Sequence, residues 1–305
     1  MVEYSELYAR SKGNTSYQTN GDEMRAFLGV LLVSGYASVP RRRLFWSHDA
    51  DVHNNAISAA MSRNRFDEMM KYLHFADNST LDADDKFAKV RLLISLLNEK
   101  FLLFFNFLKT QNLSIDESMV PYFGRHGAKQ FIRGKPIRFG FKVWVLATPL
   151  GYVVQFDPYQ GARGRQTEYP GLGMGGSVVL DLVSELREEN GSSFHLAFDN
   201  LFTSLPLIEC LTKKNIGCTG TLRSNRTANC PIMPVCDMKK KTRGTFDYAT
   251  DMKSGITVVC WNDNNVVNAA SNMVGVHPVQ SARRWSRSER SQVNIGQPNM
   301  ITHYN

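Results

Sequence analysis

Apolar positions recur at helical spacing from Gly21 to Leu108. GDEMRAFLGVLLVSGY (Gly21–Tyr36) keeps one apolar face behind an acidic start, with Asp22 as the expected cap. SRNRFDEMMKYLHFA (Ser62–Ala76) repeats the pattern behind Ser62, and Asp84–Leu108 predicts a third, longer helix ending in the apolar run FLLFFNFL. From Leu113 the period changes. LSIDESM (Leu113–Met119) reads as a short strand. IRFGFKVWVLAT (Ile137–Thr148) and GYVVQFDPY (Gly151–Tyr159) are β-branched and aromatic runs split by Pro149 and Gly151, the pattern of a hairpin. After a loop from Gln160 to Gly176, Ser177–Asn190 predicts an amphipathic helix carrying Val178, Leu182 and Leu186 on one face. FHLAFDN (Phe194–Asn200) reads as a strand, Thr203–Asn215 as a helix capped by Thr203 or Ser204, and Ile216–Asn225 as a strand. The predicted order is β-β-β-α-β-α-β. Beyond it come a basic stretch (Arg226–Gly244), strands in Gly244–Thr250, Ile256–Asp263 and Val266–Met273, and the linker-like ARRWSRSERSQVN (Ala282–Asn294). These read as a separate, β-rich element.

Charge adds a direction. The 305 residues carry 36 Lys+Arg against 28 Asp+Glu, a formal net charge of +8, which favours anionic partners with nucleic acid first among them. The excess is local: from Ser118 to Phe156 no acid occurs, while Arg125, Lys129, Arg133, Lys135, Arg138 and Lys142 accumulate. Arg223 and Arg226 are second candidates for phosphate contact, and Arg41–Arg43 form a further basic turn. Five cysteines without a CxxC pair argue against a disulfide framework and a structural zinc site, and fit reduced thiols inside a cell. The polar start, MVEYSELYARSKGNTSYQ, lacks the apolar core of a signal peptide, and Phe101–Leu108 is less than half a membrane span.

Three motifs invite chemistry. GLGMGG (Gly171–Gly176) opens a helix, as phosphate-binding loops do, but it lacks a preceding strand and the Lys-Ser/Thr of a P-loop, so a turn is the simpler reading. Asp116 and Asp199 each end a short apolar run, NLSID and FHLAFD, where a carboxylate without a partner is costly. In a sheet of ribonuclease H type the first and fourth strands are neighbours, so the two acids would face one another across one strand spacing. Like carboxylates that close favour a divalent cation, and oxygen ligands suit Mg²⁺ or Mn²⁺ for phosphodiester chemistry. Alternatively, both acids cap strand ends and bind nothing. Asp157 of FDPY and Asp263 of WNDN are read as structural.

The stretches SIDESMVPYFGRHGAKQFIRGKPIRFGFKVW and FDNLFTSLPLIECLTKKNIGCTGTLRSNR resemble the transposase domain of the piggyBac family, above all its domesticated members in animal genomes. AFLGVLLVSGY, MSRNRFDEMMKYLHFADN, LLNEKF, CWNDNNVV and PNMITHYN extend the resemblance over nearly the whole chain. The resemblance implies an α/β fold: a DDE/D transposase with an RNase H-like mixed sheet core, an N-terminal helical domain and a β-rich insertion. The corresponding boundaries are a helical DNA-binding and dimerisation region at 1–111, the catalytic core at 112–225, the insertion at 226–295 and a truncated return to the core at 296–305. It implies that Asp116 and Asp199 are the first two metal ligands, that Mg²⁺ or Mn²⁺ is the cofactor, and that DNA is the partner of a homodimer in the nucleus, with no membrane. The run Lys239–Lys241 itself reads either as a nuclear import patch or as a plain basic loop. The family's third catalytic Asp lies in a glycine-rich motif just beyond the stretch matching ITHYN, and the chain stops at Asn305. With two ligands of three, the expectation for this chain is weak or absent strand cleavage; the rival expectation is a non-catalytic DNA-binding protein that keeps the fold.

Overall fold

The computed structural model describes residues 1–108, 110–161, 169–186 and 194–305, which form two compact units, Met1–Leu96 and Leu97–Asn305. The predicted loop after Gln160 and the end of the helix after Leu186 fall partly outside the described residues.

The first unit is helical. It holds α1 (Val2–Ser11), α2 (Gly21–Tyr36), a 3₁₀ turn (Arg42–Trp46), α3 (Asn55–Ala60), α4 (Arg63–Tyr72) and the start of α5 (Ala88–Leu108). Phe27, Val30, Phe45, Ile57, Phe66 and Met69 form its core. The cap of α2 is Asn20, whose Oδ1 accepts from Glu23 N at 2.9 Å, rather than Asp22. The cap must sit in extended backbone before the first helical residue, and Asp22 is already inside the first turn. Ser62 caps α4 as expected. The sequence pattern missed α1 because only Ser5 and Ala9 are buried along its ten residues.

The second unit is built on a mixed sheet. Its strands are β1 (Asn112–Pro121), β2 (Lys129–Phe131), β3 (Phe139–Ala147), β4 (Val153–Pro158), β5 (His195–Phe198), β6 (Gly217–Leu222), β7 (Phe246–Thr250), β8 (Thr257–Asn262) and β9 (Val266–Ser271). They lie in the order β2-β3-β1-β5-β6-β9-β8-β7, with β4 on β3. Strand β1 is antiparallel to β3 and parallel to β5, and β5 is parallel to β6. The helices α6 (Gly173–Val183), α7 (Leu205–Lys213), the short α8 (Val235–Met238) and α9 (Asn299–Tyr304) complete the unit. Ser204, not Thr203, caps α7. Leu113, Ile115, Trp144, Leu196, Phe198 and Leu211 share one buried cluster, so the strands that carry the acids are fixed by their apolar neighbours.

Two expectations change here. The β-rich region is not separate: β9 pairs with β6, and Val258 and Ala270 join the main core. The linker-like segment is a hairpin of its own, β10 (Gln280–Ser286) and β11 (Ser291–Gln297). Its inward positions Ala282, Val293 and Ile295 pack with Trp261 and Ile301. The outward Arg and Ser positions hide that alternation in the sequence. Among the described residues, no helix is long and apolar enough to cross a membrane.

Candidate functional site

Strand pairing brings the two aspartates together. In the parallel ladder of β1 and β5 the last pair is Ile115 with Phe198, and both side chains are buried. Asp116 and Asp199 each follow by one residue, just past the end of that ladder, on chains about 4.8 Å apart. Loss of solvent around the carboxyl pushes Asp116 above the ordinary carboxylate value, and the charges of Glu117 and Asp199 push it further. The Glu117 N–H, which donates to Asp116 Oδ1 at 2.7 Å, and the Lys135 ammonium act the other way.

Asp199 is held by a turn. Its Oδ1 accepts from Leu201 N at 2.8 Å, and its carbonyl accepts from the Thr203 hydroxyl at 2.7 Å. Arg226 Nη1 lies 3.0–3.2 Å from the carbonyls of Asn200, Leu201 and Thr203, and Arg223 Nε donates to Asn200 Oδ1 at 3.1 Å. These two arginines brace the turn behind Asp199. The glycine run has the same purpose: a Cβ on Gly175 would stand 2.6 Å from the Leu201 carbonyl oxygen, so α6 closes on the turn only because that position is bare. Within the motif it is Gly175 that serves this packing.

Glu117 lies on the opposite face of β1 from Asp116, its side chain 15% exposed. Its Oε1 is 3.1 Å from Lys135 Nζ, while its Oε2 is buried with no hydrogen-bond partner. The hydrogen bond to Glu117 raises the Lys135 ammonium above its ordinary value, with Asp116 and Asp199 adding to the effect. Lys142 is different: burial lowers its pKa, and its Nζ sits 3.9 Å from the Trp144 ring centroid. Tyr304 of α9 completes the surroundings. Burial raises its phenol, the side chain of Thr221 bonds to it, and the charges of Asp199 and Asp116 reach it. Neither Tyr304 nor the bracing by Arg226 has a local sequence signal, because both depend on segments joined by the sheet.

The basic candidates therefore divide. Arg125, Arg133 and Arg138 are exposed. Lys129 is half-buried, and its Nζ donates to the Gly124 carbonyl at 3.1 Å. Exposed Phe123, Phe131 and Phe139 lie between them, which gives the β2–β3 hairpin a mixed cationic and aromatic surface. Lys135 and Lys142 point toward acids or rings, and Arg223 and Arg226 serve the turn. Asp263 is engaged by Arg243 at 2.5 Å and Arg284 at 3.0 Å, and Asp157 pairs across from Trp144 on β4.

As ligands, Asp116 and Asp199 fit a hard divalent cation: both offer oxygen donors, they sit on neighbouring strands at one end of the ladder, and Asp116 has excess negative charge around it. Among the described residues, no group of three or more His, Cys, Asp or Glu side chains is arranged to hold a metal. Asp116 and Asp199 are the residues that would hold such an ion.

A family model described as Transposase IS4 matches residues 1–305. The chain is 47% identical over its whole length to PiggyBac transposable element-derived protein 3 of Homo sapiens and 41% identical to PiggyBac transposable element-derived protein 2 of Homo sapiens, covering 51% of each. It is also 47% identical to the Chimeric ERCC6-PGBD3 protein of Homo sapiens, covering 28% of it. Among solved structures it is similar to the cryo-EM structure of a piggyBac transposase synaptic complex with hairpin DNA, with a TM-score of 0.74 and 25% identity, covering all of this chain and 62% of that one. The chain spans about half the length of the two transposable element-derived relatives.

Proposed function

The chain belongs to the piggyBac family of transposase-derived proteins, and on that premise we propose that it binds DNA, with Asp116 and Asp199 as two ligands of a divalent-cation site for phosphodiester cleavage and strand transfer. The observation that supports this reading is the parallel β1–β5 register, in which Asp116 and Asp199 each follow the last ladder pair by one residue on adjacent chains. Exposed Arg125, Arg133 and Arg138, on and around the neighbouring β2–β3 hairpin, provide charge for DNA phosphates. The similar piggyBac transposase structure holds hairpin DNA, which supports a nucleic-acid partner.

When bound, Mg²⁺ or Mn²⁺ would activate water or a 3′-hydroxyl and stabilise the leaving oxygen. The protein's own contribution is placement. The ladder fixes Asp116, the braced turn fixes Asp199, and Lys135 balances part of the negative charge through Glu117. Nuclear location and homodimerisation belong to the same proposal, with Lys239–Lys241 as the import patch.

A second reading is DNA binding without catalysis, which the exposed cationic surface of Arg125, Arg133 and Arg138 supports independently of the acid pair. Salt-dependent duplex binding combined with Mg²⁺-dependent nicking that Asp116→Ala abolishes supports the catalytic reading. The same binding with no nicking, unchanged by Asp116→Ala and Asp199→Ala, supports the second. A chain with no salt-dependent duplex binding contradicts both.

A further inference from the structure

The β10–β11 hairpin has a use that neither the acid pair nor the sheet requires. It is a two-stranded ribbon outside the main sheet, anchored at its root. Trp261 Nε1 donates to the Gly296 carbonyl at 2.8 Å, and Arg284 on the inward face binds Asp263. Between Gln280 and Gln297 the chain carries four arginines and one acid, Glu289.

Alternation sorts these side chains. Ala282, Arg284, Val293 and Ile295 face inward. Arg283, Trp285, Gln292 and Asn294 share the outward face, where Arg283 pairs across from Asn294 and Trp285 from Gln292. All four are exposed; Trp285 is 55% exposed, whereas Trp144 and Trp261 are buried. At the tip, Arg287 and Arg290 are exposed as well. Among the described residues, Arg283, Arg287 and Arg290 form no ion pair with an acid, so their charge is available to a partner.

We infer that the outward face of this ribbon is a second DNA-contacting surface, which lies against the major groove of duplex DNA. The inference rests on the DNA-binding reading above and extends it to a separate element. The major groove admits a two-stranded ribbon, and Arg, Asn and Gln are the side chains that make paired hydrogen bonds to base edges there. Arg287 and Arg290 at the tip meet phosphates on the groove wall, Arg283, Gln292 and Asn294 face base edges, and Trp285 provides an apolar surface for a thymine methyl or deoxyribose. An apolar protein partner would find few apolar side chains on this face. A polyanion finds three uncommitted guanidinium groups.

The test is duplex binding by the 305-residue chain, followed by fluorescence anisotropy across a salt series. Arg287→Ala combined with Arg290→Ala is expected to reduce the slope of log K against log salt by about 2, close to 0.9 for each phosphate that is no longer neutralised. Tryptophan emission is a second readout that does not depend on affinity: duplex addition quenches the wild-type chain, and Trp285→Phe removes that component. An unchanged slope and unchanged quenching, while Arg133→Ala with Arg138→Ala still weakens binding, overturn the ribbon assignment and leave the DNA-binding reading intact. Absence of duplex binding by the wild-type chain overturns that reading, and the ribbon with it. Competition by single-stranded RNA stronger than by duplex DNA overturns the choice of partner.

Discussion

Asp263 and Asp116 lie in the same compact unit and shift in opposite directions. Loss of solvent pushes both carboxyls up. At Asp263, hydrogen bonds from Arg284 and Arg243 more than reverse that push, so the carboxyl is held below its ordinary value. At Asp116 the neighbours include Glu117 and Asp199, and the ammonium of Lys135 does not reverse the upward push. One region is an ion triad in which two guanidinium groups more than compensate one carboxylate inside the protein. The other is an acid pair in which burial and neighbouring acids disfavour the charged carboxylate, the setting in which the proposed cation would bind. The difference separates a carboxylate that holds the fold together from one available to a cation, which composition and exposure alone do not do.

Breaking the triad should have the largest effect. Asp263→Ala leaves two guanidinium groups without their anion in a site where the carboxylate is 14% exposed, and the expected loss is about 2–3 kcal/mol of unfolding free energy. Urea denaturation measures it; a change below about 0.5 kcal/mol would place the triad with ordinary surface pairs.

The brace behind Asp199 ranks next. Arg226→Ala removes the hydrogen bonds to three carbonyls, and Gly175→Ala forces a methyl against the Leu201 oxygen. Each is expected to cost about 1–2 kcal/mol and to weaken divalent-cation binding along with stability. Loss of stability with cation affinity intact would show that the turn does not position Asp199 as a ligand.

These contrasts mark what could be read from the sequence. The acid pair was legible because NLSID and FHLAFD are short alternating runs whose apolar residues must face the core, so each acid falls at a fixed place past the last buried residue. The helix–strand order of the core was legible for the same reason. The ribbon was not, since Arg and Ser on its outer face mask the inward Ala282, Val293 and Ile295. The roles of Arg226, Lys135 and Tyr304 were not legible either. They depend on side chains that meet across distant segments, as Arg226 to Thr203 shows at a separation of 23.

The smallest effects are on pH dependence, and their signs differ. Asp263 has a depressed folded-state pKa, so its stabilisation is present above the ordinary value of 3.8 and is lost as pH falls through the folded value. Asp116 has a raised one. In metal-free protein the folded state therefore binds more protons between 3.8 and its folded value, and that contribution declines as pH rises. Asp116→Asn should flatten this slope and slightly raise the thermal midpoint at neutral pH without added cation. A lower midpoint for Asp116→Asn would mean that the carboxylate is already compensated inside the protein.

The most direct test of the acid pair is Mn²⁺ binding followed by electron paramagnetic resonance, with the wild-type chain compared against Asp116→Asn and Asp199→Asn. The account predicts one saturable site in the wild-type chain that either substitution removes or strongly weakens. Equal Mn²⁺ binding by all three proteins would contradict it.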